Sequence, residues 1–244
     1  MKDAAGVKNL SSIVHQQQGQ LIVVVSAMGK TTNLLETLCN AYFHRDSKVP
    51  AIMKELKDFH LNIVTSLFPL NAPVYKHLEE LFINLENILA SESSLCYDYE
   101  YDRIICFGEL ISTTIISDYL KMEGIENQFI DIRKFLKTDQ NYRNANIDLE
   151  LSEQLCKETF DFKTSSVFVT QGFIAGTRTN QTTTLGREGS DYTAALLANL
   201  LNAENVTIWK DVPGVMNADP KEYEKAQVIS RMSYKEAIDL SHFG

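Results

Sequence analysis

Hydrophobic and polar positions alternate between two regimes along this chain. Residues 21–25, LIVVV, form a run with no polar position, the pattern of a strand buried on both faces. Similar runs predict strands at 102–107, 128–132, 167–173 and 206–209. Between them the spacing is helical. Residues 3–18 read as a short helix ending near Gly19, followed by helices at 31–39 and 51–60. The clearest is 72–90, where Leu78, Leu81, Phe82, Leu85, Ile88 and Leu89 recur at i, i+3, i+4. After residue 109, Ile111, Ile115, Tyr119 and Met122 share one face and the pattern stops at Gly124. Further helices are expected at 151–160, in the Ala/Leu-rich stretch leading to Leu201, and at 233–240.

Strands alternating with helices predict βαβ units and a mainly parallel sheet covered on both faces. No repeat, low-complexity stretch or long linker interrupts the pattern, so it reads as one domain. Ligands of such sheets bind beyond the carboxyl ends of the strands, and four polar turns fall there: 26–33, 108–109, 172–191 and 210–221.

Composition narrows the partners. The formal net charge of −9 opposes attraction to nucleic acid or an anionic membrane surface. Cys39, Cys96, Cys106 and Cys156 show no CxxC pairing and no metal-ligand spacing, as expected of free thiols in a reducing compartment. The polar start, MKDAAGVKNLSS, has no signal pattern, and LIVVVSAM from Leu21 is too short to span a bilayer. A soluble, cytoplasmic protein is expected. His15, His44, His60, His77 and His242 are scattered, which argues against a histidine-based metal site or nucleophile triad.

The densest chemistry lies in residues 182–201, TTTLGREGSDYTAALLANLL. A strand, a hydroxyl- and glycine-rich loop and a helix follow in order, so free N–H groups and a helix dipole face an anion. Ser190 and Asp191 are N-cap candidates. Arg187, with Thr182, Thr183, Thr184, Gly186 and Gly189 around it, has the planar fork for a carboxylate or phosphate, although a surface pair with Glu188 is the plain alternative. SAMGKTTN at 26–33 resembles a phosphate cradle but lacks the GxxxxGK[ST] pattern, and its threonines also suit a simple helix start. Glu109 could hold an ammonium group or a metal, or simply favour a helix dipole. The turn from Lys210 to Lys221 reads as a loop by its Pro-Gly and Asp-Pro pairs, with two lysines that suit nucleotide phosphates.

Taken together, VVVSAMGKTTNLL, ICFGELIST, VTQGFIAG, TTTLGREGSDYTAALLANLL and IWKDVPGVMNADP resemble, in this order, the aspartokinases of the amino-acid kinase family. The resemblance covers essentially the whole chain. It implies a three-layer αβα sandwich with a mainly parallel sheet, the catalytic domain spanning residues 1–244. It implies transfer of the γ-phosphoryl group of Mg·ATP to the side-chain carboxylate of L-aspartate, the first step towards lysine, threonine and methionine. ATP and Mg2+ would be the cofactors and the intact protein a homodimer. By motif match Arg187 would grip the substrate α-carboxylate and Glu109 its amino group, while Thr32, Phe173 and Ser190 line the pocket. Arg187 and Asp191 are the catalytic candidates. Asp191, Lys210, Asp211, Met216 and Lys221 fall on the nucleotide side, and Ser26 and Gly29 near the transferred phosphate. No metal ligands are assigned.

Departures from the family pattern carry their own expectations. The KFGGTS strand-loop with its lysine would precede this chain. The Ala-Lys-Val-Leu-His-Pro run and the regulatory ACT domains would follow it. On that reading the chain folds weakly and has little kinase activity. Glu188 stands where GRGGSD has glycine, and Lys210 where WTDV has threonine. Two other outcomes stay open: a different amino-acid kinase, such as an acetylglutamate, glutamate-5 or uridylate kinase, or a module that binds aspartate without catalysis.

Overall fold

At the centre of the larger sheet lies β4 (Val167–Gln171), which pairs in parallel with β1 (Leu21–Val25) on one side and β2 (Gln128–Ile130) on the other. The computed structural model describes residues 1–210, 214–220 and 222–243, the last three by backbone alone. They divide into two compact units, Met1–Val206 and Thr207–Gly244. A smaller sheet in the first unit holds β3 (Lys137–Thr138) parallel to β5 (Ile174–Thr177), with β6 (Thr182–Thr184) antiparallel to β5.

The helices of the first unit are α1 (Ala4–Gln16), α2 (Thr31–Phe43), α3 (Val49–Leu67) and α4 (Val74–Ala90), then α5 (Tyr97–Ile105), α6 (Phe107–Met122), α7 (Leu149–Thr159) and α8 (Gly189–Leu200). α6 lies across β1, β4 and β2, with α1, α2 and α4 packed on it, while α8 packs against β1 and α7. The result is the three-layer αβα sandwich with a mainly parallel sheet. Its core runs through Leu78, Leu85, Ile111, Ile115, Phe168 and Val169, all fully buried. Each such side chain contributes roughly 1.5–3 kcal/mol of transfer free energy.

Residues 102–107 are helical, contrary to the expected strand. They span the end of α5, the junction at Cys106 and the first residue of α6. The reason is that residues 104–107, Ile-Ile-Cys-Phe, form a short buried apolar run across the junction of two helices, and so short a run cannot be told from a buried strand by periodicity. The expected strand at 206–209 has no regular structure; Val206, Ile208 and Trp209 are exposed and no ladder partner is found for them among the described residues. In the second unit Met216 bridges Val228, and α9 (Tyr234–Phe243) begins with Ser233 and Glu236 closing a capping box. Among the described residues no helix is long and apolar enough to cross a membrane.

Candidate active site

Two strands end side by side. Val25 closes β1 opposite Gln171 of β4, and the Gly172 N–H donates to Val25 O at 2.8 Å. The N-terminal turns of α2, α6 and α8 gather at this edge. Ser112 of α6 donates to Ser26 O at 2.8 Å, and Glu109, in the first turn of the same helix, accepts from the Ala27 N–H at 3.2 Å. On the other side Gly172 lies so close to α8 that a Cβ there would stand 2.7 Å from Ser190 Cβ. A Cβ on Gly189 would meet Phe173 at 2.5 Å. Glycine at 172 and 189 thus lets the turn after β4 touch the start of α8, placing Phe173 beside Ser190.

Glu109 is the electrostatic centre of this edge. It is 3 % exposed, and its second carboxylate oxygen, Oε2, has no hydrogen-bond partner among the described residues. Burial pushes the carboxyl up to about 8, against the opposing bond from the Ala27 N–H. An acceptor so placed is set to receive a cationic group. Gln171 presents the complementary polarity: Oε1 accepts the Ile132 N–H at 2.9 Å, while its buried Nε2 donor has no hydrogen-bond partner among the described residues.

The strain in the site is local. Phe173 adopts φ 67° and Glu188 φ 55°, left-handed values that side chains resist. Glu188 is the N-cap of α8 and makes no side-chain cap bond, so Ser190 and Asp191, expected as caps, lie inside the first turn instead. The helix therefore starts at Gly189, two residues earlier than a Ser190 cap would give, with Gly189 in close contact with Phe173. Arg187 is exposed on the loop before it, Ser190 and Asp191 are half-buried, and Thr32 is half-buried in the first turn of α2. Ser26 and Gly29 are exposed, Gly29 at φ 56° over Phe59.

The threonines resolve differently from expectation. Thr182 Oγ1 accepts from Arg133 at 3.1 Å, Thr183 bonds Thr138 at 2.7 Å, and Thr184 donates to Asp102 Oδ1 at 2.7 Å. All three hydroxyls hold the protein together and are not turned to a ligand. Behind α2, burial pushes His60 down to about 4. Its Nδ1–H donates to Leu56 O at 2.8 Å, so Nε2 accepts from the Thr31 hydroxyl at 3.3 Å. Sequence reasoning did not single out Gln171, Asp102 or His60 as site residues; Gln171 carried a signal, a polar residue closing the apolar run VFVTQ, whereas Asp102 and His60 lie among other polar residues and carried none.

Of the residues expected on the nucleotide side, Lys210 is exposed and Met216 half-buried, both in the second unit. Asp211 and Lys221 lie outside the described residues. Among the described residues, no group of three or more His, Cys, Asp or Glu could hold a metal ion.

Fold and site define an αβα protein with a small-molecule site at the carboxyl edge of a parallel sheet, combining a buried acid with helix N-termini. The chain belongs to the amino acid kinase family, whose pattern matches residues 1–244. Lysine-sensitive aspartokinase 3 of Escherichia coli (strain K12) is 32 % identical over 246 residues, covering 99 % of this chain and 54 % of that protein. The chloroplastic bifunctional aspartokinase/homoserine dehydrogenase 1 of Zea mays is 31 % identical, with 98 % of this chain and 26 % of the relative covered. The crystal structure of E. coli aspartokinase III in complex with aspartate and ADP superposes with a TM-score of 0.88 at 29 % identity, covering 99 % of this chain and 54 % of that one. The chain therefore spans about half the length of E. coli aspartokinase and about a quarter of the plant bifunctional protein.

Proposed function

We propose that this chain is the catalytic domain of an aspartate kinase, transferring the γ-phosphoryl group of ATP to the side-chain carboxylate of L-aspartate to give 4-phospho-L-aspartate. The observation that carries this reading is Glu109: a buried carboxylate with one oxygen that has no hydrogen-bond partner among the described residues, at the sheet edge it shares with the start of α8. A buried acid for an ammonium group and an arginine for a carboxylate are the two ends an α-amino acid needs. The similarity to an aspartokinase whose structure holds aspartate and ADP supports the same ligands here.

The chemistry asks little more. The nucleophile, an aspartate carboxylate, is ionised at neutral pH, so no general base is required. Catalysis then rests on holding two anions in line and stabilising the charge between them. Glu109 would fix the amino group, Arg187 the α-carboxylate, and Thr32, Phe173 and Ser190 the pocket walls. Ser26 and Gly29 would lie by the transferred phosphate, and Asp191, Lys210, Asp211, Met216 and Lys221 on the nucleotide side. Mg2+, when bound, screens the phosphates. Such a step would open the synthesis of lysine, threonine and methionine.

A coupled ADP-release assay on the 244-residue chain, run with L-aspartate, L-glutamate, N-acetylglutamate and uridine monophosphate, tests the reading. Calorimetric titration with the same compounds reads binding independently of turnover. Preference for L-aspartate in both is the expected result; preference for another acceptor would replace the assignment.

A further inference from the structure

Asp102 is fully buried on α5 and is not part of the substrate edge, yet three donors converge on it. Thr184 N–H and Arg143 N–H both donate to Oδ2 at 2.9 Å, and the Thr184 hydroxyl donates to Oδ1 at 2.7 Å. Thr184 is the last residue of β6 and stands three positions before Arg187. Its carbonyl accepts the Ala145 N–H at 3.0 Å. Through this one carboxylate, a helix, the 141–147 loop and the root of the arginine-bearing loop are joined.

The surrounding contacts show that the joint carries strain and sets a position. Arg143 is held at φ 67°, with its N–H on Asp102 and its guanidinium 4.4 Å from the Tyr101 ring and paired with Asp98. Gly186, at φ 75°, rests on that loop so closely that a Cβ would fall 2.7 Å from Asn144 Oδ1. The floor under Gly186, the residue before Arg187, is therefore residues 143–144, and Asp102 fixes both the floor and the strand that enters the turn. Thr182 and Thr183 tie β6 to Arg133 and Thr138 further back; Asp102 is the last side-chain anchor before Arg187.

We propose that Asp102 is a positioning residue that sets the reach of Arg187 towards the ligand carboxylate. The ligand half of this statement rests on the assignment of Arg187 above; the mechanical half does not. Asp102→Ala removes all three acceptor bonds, whereas Asp102→Asn keeps one oxygen for the two N–H groups and can donate to the Thr184 hydroxyl, which rotates to accept. A merely structural role would lower stability in proportion to lost bonds; a positioning role predicts local loosening and selective loss of one ligand.

The experiment uses the 244-residue chain and three variants, D102A, D102N and T184V. Tryptic cleavage after Arg187 is timed against cleavage at exposed Lys48 in another part of the fold, and L-aspartate and ADP affinities are measured by calorimetry. D102A is expected to speed cleavage after Arg187 and weaken L-aspartate, each by about tenfold or more, with Lys48 cleavage and ADP affinity unchanged. D102N should restore both to within about threefold, and T184V should fall between. Cleavage after Arg187 at the parental rate, or equally faster at Lys48, overturns the proposal. If D102A does not fold, T184V carries the test, and a parental cleavage rate there overturns it too. If the parent binds no L-aspartate but D102A still loosens the Arg187 loop alone, the mechanical latch stands and the ligand assignment falls.

Discussion

Glu109 receives the Ala27 N–H on one oxygen, at 3.2 Å, and keeps the other buried without a hydrogen-bond partner among the described residues. Its carboxyl is raised to about 8 by burial, so its protonated form is favoured in the folded chain relative to the unfolded one. The group therefore adds stability that is fully present below about pH 4.5 and is lost as pH rises through about 8. Glu109→Gln keeps the acceptor for Ala27 and never ionises. Urea unfolding across pH should find the variant close to the parent near pH 5 and more stable above pH 8, by on the order of a few kcal/mol. Parallel curves for the two proteins would refute the desolvation argument.

The same group links ligand binding to protons. An ammonium group bound at Oε2 requires the ionised form, so binding L-aspartate at pH 7 should release about one proton and at pH 9 about none. Calorimetry in buffers of differing ionisation enthalpy measures that number. Binding at pH 7 without proton release would place the amino group elsewhere.

Arg187 is exposed and, among the described residues, shares no hydrogen bond or ion pair. Arg187→Ala should abolish the thermal stabilisation by L-aspartate while leaving the unliganded melting temperature within about a degree, as for other surface substitutions. An unchanged ligand shift would remove Arg187 from the site.

Glu188 occupies a left-handed position at φ 55°, where glycine is unstrained. Glu188→Gly relieves roughly 1–2 kcal/mol of steric cost at this position and removes a negative charge beside Arg187. Calorimetric titration should show tighter binding of an anionic ligand; unchanged or weaker binding would show that the charge at 188 does not act on the site.

Gly172→Ala tests the joint between β4 and α8. A methyl group would stand 2.8 Å from Ser190 Cα, a backbone atom that cannot step aside alone. The helix start must move, at about 1–3 kcal/mol, and affinity for L-aspartate should fall with it. Full stability and affinity in the variant would mean that the joint is softer than its geometry.

Much of this arrangement was legible before any coordinates. β1, β4 and the helix pattern of α4 follow from runs and periodicities, and the motifs drew attention to the turns that now meet around Val25 and Gln171. Residues 102–107 misled because a short buried apolar run at the junction of two helices and a buried strand look alike in one dimension. β5 and β6 were hidden inside one polar loop, since Thr182–Thr184 is a short strand of hydroxyl residues. Those hydroxyls are attractive as ligand groups only until their partners are known, and each partner comes from elsewhere in the chain.

The sequence by itself determined the class of fold, the family resemblance and the chemical types at the site, because buried strands, helix stripes and glycine-rich turns are local patterns. The tertiary structure alone decided which carboxylates are desolvated and which hydroxyls are occupied. Ala27 and Glu109 are 82 residues apart in sequence, as are Asp102 and Thr184, and both pairs are bonded. Burial and hydrogen-bond satisfaction are properties of such distant pairs, so a pKa near 8 at Glu109 and a latch at Asp102 exist only once the chain has closed on itself.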